Sequence, residues 1–144
     1  MSPLSRAWWV AYWSHKDFEV NHWKAGQERT WTANKEAEAG DHALLYVKAP
    51  TSALVGIFQL TSDAWETDWA SQFSHRHPWA CEVRVECRFD RPLTIAEMRK
   101  DRELCRKWGL IRGNFQPPGG VPPRVPFDVL PMLAKHIPEL QPYV

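Results

Sequence analysis

Cysteine is scarce in this chain: Cys81, Cys87 and Cys105 are odd in number and form no Cys-x-x-Cys pair. That argues against a disulfide framework and a zinc knuckle, and makes the reducing cytoplasm the expected location. Long apolar runs are lacking too. No stretch approaches the roughly 18 consecutive apolar residues of a membrane span, and the opening MSPLSRAWWVAYW has no basic segment ahead of an apolar run. Neither an anchor nor a secretory leader is expected. Excess charge of one sign is absent, since 18 basic residues face 17 acidic ones for a net +1. This disfavours a wholly basic nucleic-acid sleeve while leaving room for a local patch. Also missing are a Gly-rich phosphate loop, a Gly-x-Ser-x-Gly elbow, a His-Glu-x-x-His pair and any internal repeat. No catalytic signature, cofactor or metal is therefore expected. His75 and His77 stand two apart, with Asp68 or Cys81 as the nearest third ligand, which is sparse for zinc and reads better as a solvated or phosphate-facing pair.

What the chain has in quantity is tryptophan, nine in 144 residues. Its apolar share of 44% and charged share of 24% are ordinary, and one domain over residues 1–144 accounts for the length. A single core does not require nine indoles. Trp8 or Trp9, Trp23 and Trp108 sit in amphipathic or apolar stretches and are assigned to packing. Trp31 differs. In TWTAN its neighbours Thr30, Thr32 and Asn34 are polar, and no alternation explains the ring as core.

The aromatic AWWVAYW predicts a strand, DFEVNHWKAG a helix stopped by Gly26, and RTWT a second strand. DHALLYVKAPTSALVGIFQLTS predicts a hairpin of two apolar strands, with Gly56 marking close approach of backbone or ligand. Residues 63–78 show neither period and read as a long surface connection, whereas WACEVRVECRF alternates strictly. LTIAEMRKDRELCRKWG predicts one helix with a Thr94/Glu97 capping box, closed by Gly109, its charges forming a solvated face. NFQPPGGVPPRVP is too rich in proline for regular structure and leads to a last helix at FDVLPMLAKHI. The order implies an α+β fold built on a curled antiparallel sheet with short flanking helices.

In order and spacing, WWVAYWS, RTWTAN, AGDHALLYV, LVGIFQLTSDAW and HPWACEVRVECRFDRPLTI resemble an EVE domain of the PUA-like group, relatives of the YTH and ASCH domains. The resemblance spans nearly the whole chain. It implies a PUA-like sheet or barrel that binds, without catalysis, DNA or RNA carrying a modified base flipped into an aromatic cage, with a separate effector protein as a possible associate. Carried over by position, Trp31 matches the first cage tryptophan and Trp79 an aromatic just ahead of the long strand. The third wall falls at Ser74, so Phe73, Trp69 or Trp65 must substitute, with Trp13 as an accessory. An indole sandwich one heterocycle thick contributes about 1–3 kcal/mol per stacked base, and a base methyl group adds on the order of 0.8 kcal/mol. Thr32 and the backbone after Trp31 adjoin the site, and Asn34 is the candidate reader of the base edge. Lys16, Lys24, Arg29, Lys35, Arg76 and Arg112 are candidates for flanking phosphates, with Asn114 on a rim.

Two other functions compete. An ASCH-like hydrolase of a modified nucleoside needs a lysine, a threonine and a carboxylate, for which Lys16, Thr32 and Glu82 are available. A methylammonium cage is suggested by DAWETDW, which mixes carboxylates with indoles.

Overall fold

The structure, a computed structural model, describes residues 6–20, 23–67 and 79–144. Its frame is a six-stranded sheet: β1 (Trp8–Trp13), β2 (Glu28–Thr32), β3 (His42–Val47), β4 (Ala53–Leu60), β5 (Trp65–Glu66) and β6 (Trp79–Thr94). The order β1-β3-β4-β6-β2 leaves β1 and β2 as the outer strands, and β5 pairs β6. The sheet is a curled half-barrel and α+β as expected, with one refinement. β1 runs parallel to β3, while every other pairing is antiparallel. Register shifts on β4, between Leu54 and Gly56 and again between Ile57 and Phe58, help the long β6 to curl.

WWVAYW lacks polar alternation because both faces of β1 are covered. Trp8 and Val10 join Leu44, Tyr46 and Ile57 in a core under the C-terminal helices; Trp9, Ala11 and Trp13 join Leu45, Val47, Phe58 and Val85 in a second core. Trp8, Trp9, Trp23 and Trp108 are all buried, as assigned. Asp41 is the buried charged residue of the described chain. Its carboxylate accepts from the Trp9 indole at 2.9 Å, the Glu38 amide at 2.9 Å and the Ala7 amide at 3.3 Å, so the Gly40-Asp41 turn clamps β1 to the start of β3. Gly40, at φ 92°, takes a left-handed turn that a side chain would strain.

The helices are α1 (His15–Val20), α2 (Ile95–Lys100), α3 (Arg102–Lys107), α4 (Gly109–Arg112) and α5 (Val129–Ala134), with 3-10 turns at Pro118–Gly120 and Pro138–Tyr143. Two helix expectations are corrected. The first helix spans His15–Val20 rather than reaching Gly26, which instead donates its amide to Val85 O across the sheet at 2.8 Å. The long helix is three short ones. Met98 and Leu104 are both fully buried, whereas a spacing of six would set them about 120° apart around a continuous helix; the break at Asp101 (φ −90°, ψ 98°) turns both inward. A second break at Trp108 seats its indole in the core, and Gly109 opens α4 instead of closing a helix. Gly56 marks close approach of backbone, as its position in the strand implied: a Cβ there would lie 2.6 Å from Cys87 O and also 2.5 Å from Trp23 Cη2.

Candidate functional site

The half-barrel fails to close between its outer strands, and a cleft occupies the seam. Tyr12 and Trp13 of β1 and Thr30, Trp31 and Thr32 of β2 line it, together with Ser14 and Asp17 of the α1 segment, Lys48, and Pro117, Gly120 and Pro122 of the proline-rich segment. The volume is about 480 Å³, within the ordinary range of small-molecule sites, about 300–1,000 Å³. The proline-rich segment stays at the seam through backbone bonds to β1. Val10 N donates to Pro123 O at 2.9 Å and Val125 N to Trp8 O at 2.7 Å. Asn34 fastens the other side, donating its amide N–H to Pro122 O at 3.1 Å.

Trp31 is half-buried at the cleft, but its relation to Trp13 differs from the expected sandwich. The two rings meet edge to face, 5.5 Å between centroids at 82°, and Trp31 also meets Phe58 edge-on at 4.9 Å. No heterocycle-wide gap separates this pair, because Trp13 is needed in the second core, where it also packs edge-on against Phe18 and Trp23. The remaining wall of the cleft is the proline-rich segment. Behind Trp31 lies only a small cavity of about 20 Å³, reaching Asn34, Phe58 and Cys81. Burial pushes the Cys81 thiol up to about 12, so it stays protonated and inert.

Trp13, Trp31 and Thr32 are the sequence-selected residues that share the cleft. Trp65 pairs with Ala80, packs on the second core and does not line the cleft, nor does Trp79, whose carbonyl accepts from Ala33 N at 3.0 Å. Asn34 is occupied at both ends of its amide, since its Oδ1 accepts from Glu36 N at 3.0 Å. These two bonds make it a strap between the proline-rich segment and the β2 side. Lys16, Lys24 and Lys35 are exposed and do not line the cleft. Arg29 lies over the Trp13 ring at 5.6 Å, outside the cleft lining. Arg112 donates to Cys105 O at 2.7 Å, satisfying the C-terminal carbonyls of α3, and Asn114 accepts from Arg99. Trp69 and Arg76 lie outside the described residues, as do Asp68, Phe73, Ser74, His75 and His77. Among the described residues no cluster of His, Cys, Asp or Glu could hold a metal.

The proposed hydrolytic trio does not assemble: Lys16 and Glu82 are outside the cleft, and Glu82 accepts from Thr30 Oγ1 at 3.0 Å. Of the DAWETDW stretch, Trp65 and Glu66 form a strand paired with β6, while Asp68 and Trp69 lie outside the described residues.

Sequence reasoning passed over Tyr12, Asp17 and Lys48. Asp17 stands four residues beyond Trp13 in α1, a helical turn that returns it to the strand's end; Ser14 Oγ donates to its Oδ2 at 2.8 Å. Lys48 abruptly ends the apolar run of β3, which is a signal, and its amide bonds Trp13 O at 2.9 Å. Burial pushes the Tyr12 hydroxyl above its ordinary range, with Tyr46 adding to the effect; it is a neutral phenol at physiological pH and lacks a partner among the described residues.

A hypothetical protein from Leishmania major has a similar structure, with 16% identity, a TM-score of 0.69 and coverage of 95% of this chain and 98% of that one. A single-residue mutant of the ZmASCH protein from Zymomonas mobilis gives 12%, 0.57, and 92% and 97%. Human THYN1 in complex with 5-methylcytosine containing DNA gives 12%, 0.51, and 72% and 79%. At these identities the likeness is one of fold. No curated protein matched the sequence. The EVE domain model matches residues 7–116, most of the chain and both outer strands of the seam, and the chain belongs to the EVE domain family.

Proposed function

We propose that the seam cleft binds one modified, methylated base turned out of a DNA or RNA strand, and that the protein is a reader rather than an enzyme. The observation that carries this reading is the meeting of Trp31 and Trp13 with Thr30, Thr32 and Asp17 in one open cleft. Indole surface stacks on any base, whereas turning a base out costs a few kcal/mol and calls for polar groups on its edge. The Asp17 carboxylate accepts from an exocyclic amino group or ring N–H, and the threonine hydroxyls can donate or accept. A methyl group adds contact with the indole and proline walls. That THYN1, of the same fold, was solved with DNA containing 5-methylcytosine supports the class of ligand.

Calorimetry with matched oligonucleotides tests this. Burying one methyl carbon, about 0.8 kcal/mol, predicts about fourfold tighter binding of the methylated strand than of the plain one. Trp31→Ala removes a stacking wall of about 1–3 kcal/mol and weakens binding by roughly 5- to 150-fold. Equal affinity for methylated and plain strands, or a Trp31→Ala protein that folds and binds unchanged, defeats the reading.

A second reading has one observation in its favour. Lys48, Thr32 and Asp17 line this same cleft, supplying from other positions the lysine, threonine and carboxylate that a nucleoside amidohydrolase needs. Release of acetate and cytidine from N4-acetylcytidine and water, lost in Lys48→Ala, would establish it over the first.

A further inference from the structure

A second cleft, of about 480 Å³, adjoins the first. Tyr12, Lys48 and Pro117 belong to the walls of both, so the two hollows form one trough across the ends of β1 and β3. Beyond the shared wall the polar part of the lining is Tyr46, Ser52, Arg99, Asn114 and Gln116. Its charge is one-sided. Two cations line it and no carboxylate does, whereas the first cleft contains Asp17.

Both cations have donors to spare. Arg99 uses Nη2 on Ile111 O, at 3.3 Å, and on the Asn114 side-chain oxygen; Nε and Nη1 have no partner among the described residues. That anchoring holds the guanidinium plane in place with part of its fork free, an arrangement suited to a tetrahedral oxyanion. Lys48 Nζ, at the seam between the hollows, likewise makes no ion pair among the described residues. A cationic, acid-free hollow joined end to end with a base-sized one matches the alternation of a polynucleotide, in which a flat ring is followed by a phosphodiester and a sugar.

Resting on the reading of the first cleft as a base site, we infer that the second cleft seats the phosphodiester and the adjoining nucleotide of the same strand, with Lys48 and Arg99 on the phosphate. The protein then grips a two-nucleotide unit rather than a lone base. Asn114 and Gln116 offer amides to the neighbouring sugar or base edge.

The test compares 5-methyl-2′-deoxycytidine and N6-methyl-2′-deoxyadenosine with dinucleotides that carry the same base followed or preceded by thymidine, and with their uncharged methylphosphonate analogues. One of the two dinucleotide polarities is expected to bind about tenfold more tightly than its nucleoside, the size of a charge-assisted contact, and the methylphosphonate to lose that gain. Added salt weakens the dinucleotide and leaves the nucleoside unaffected. Arg99→Gln removes the gain without changing nucleoside affinity. Gln116→Glu, at an exposed position, does the same by adding a carboxylate to the hollow, and covers the case in which Arg99→Gln unfolds. A gain that survives in the methylphosphonate or in Gln116→Glu overturns the inference and leaves the base site standing, as does a dinucleotide no tighter than the nucleoside. If neither nucleosides nor dinucleotides bind, the base reading fails and takes this inference with it.

Discussion

Trp31 was legible as a surface-reaching ring because its sequence neighbours are polar, and it does line the cleft while its other side packs on the second core. Its ring geometry was not legible. Whether an indole meets its neighbour face-on or edge-on depends on which other side chains claim that neighbour, and Trp13 is held edge-on by Phe18 and Trp23. Gly56 makes the same point. Glycine within a strand signals close approach, but only the fold names the visitor, here the indole of Trp23. An added Cβ would sit 2.5 Å from Trp23 Cη2 and 2.6 Å from Cys87 O, and the backbone carbonyl cannot swing aside as a side chain can. Gly56→Ala is therefore expected to cost about 1–3 kcal/mol of stability, read from urea midpoints at unchanged m-value, with little of it recovered by Trp23→Phe.

Short helices obey their ends more than their middles, and the break at Asp101 shows how one residue sets two elements. Its backbone closes α2, its carboxylate accepts from Leu104 N at 3.0 Å to open α3, and the same carboxylate pairs with His136 Nε2 at 2.8 Å beyond α5. The capping box at Thr94 was readable, since it depends on two residues three apart, and it is present. The break was concealed because an aspartate inside a charged run looks like any solvated side chain. The hydrogen bond from His136, and then that from Leu104 N, hold the Asp101 carboxyl below its ordinary range. A carboxylate whose folded value is lowered stabilises the fold above the unfolded value, near 3.9, and that contribution disappears as pH falls through the folded value. Asp101→Ala should accordingly lower stability by about 1 kcal/mol at pH 5, a typical loss for an N-cap. The gap between variant and parent melting temperatures should close below about pH 4 as the parent's carboxylate takes its proton. A gap constant down to pH 2 would mean that the ionised cap is not what holds α3.

Across the whole molecule the site exists because the sheet stops short of closing. β1 and β2 leave a seam, and the proline-rich segment spans part of it instead of another strand. Composition showed that this segment could not be regular, but its place beside β1 is a tertiary fact carried by Val10, Val125 and Asn34. Asn34 is thus where the sequence and the structure assign different work to one side chain, as edge reader or as strap. Asn34→Ala separates them. In the strap role it frees Pro122 O, loosens the segment from the β2 side and weakens binding indirectly by displacing the Pro117 and Pro122 wall. The amides of Val10 and Val125, bonded to Pro123 O and to Trp8 O, report on this, and their hydrogen exchange should quicken in the variant while the buried β3 and β4 amides keep their protection. Should binding fall with both reporters unchanged, the wall has not moved, the amide must meet the ligand itself, and Asn34 returns to the role of reader.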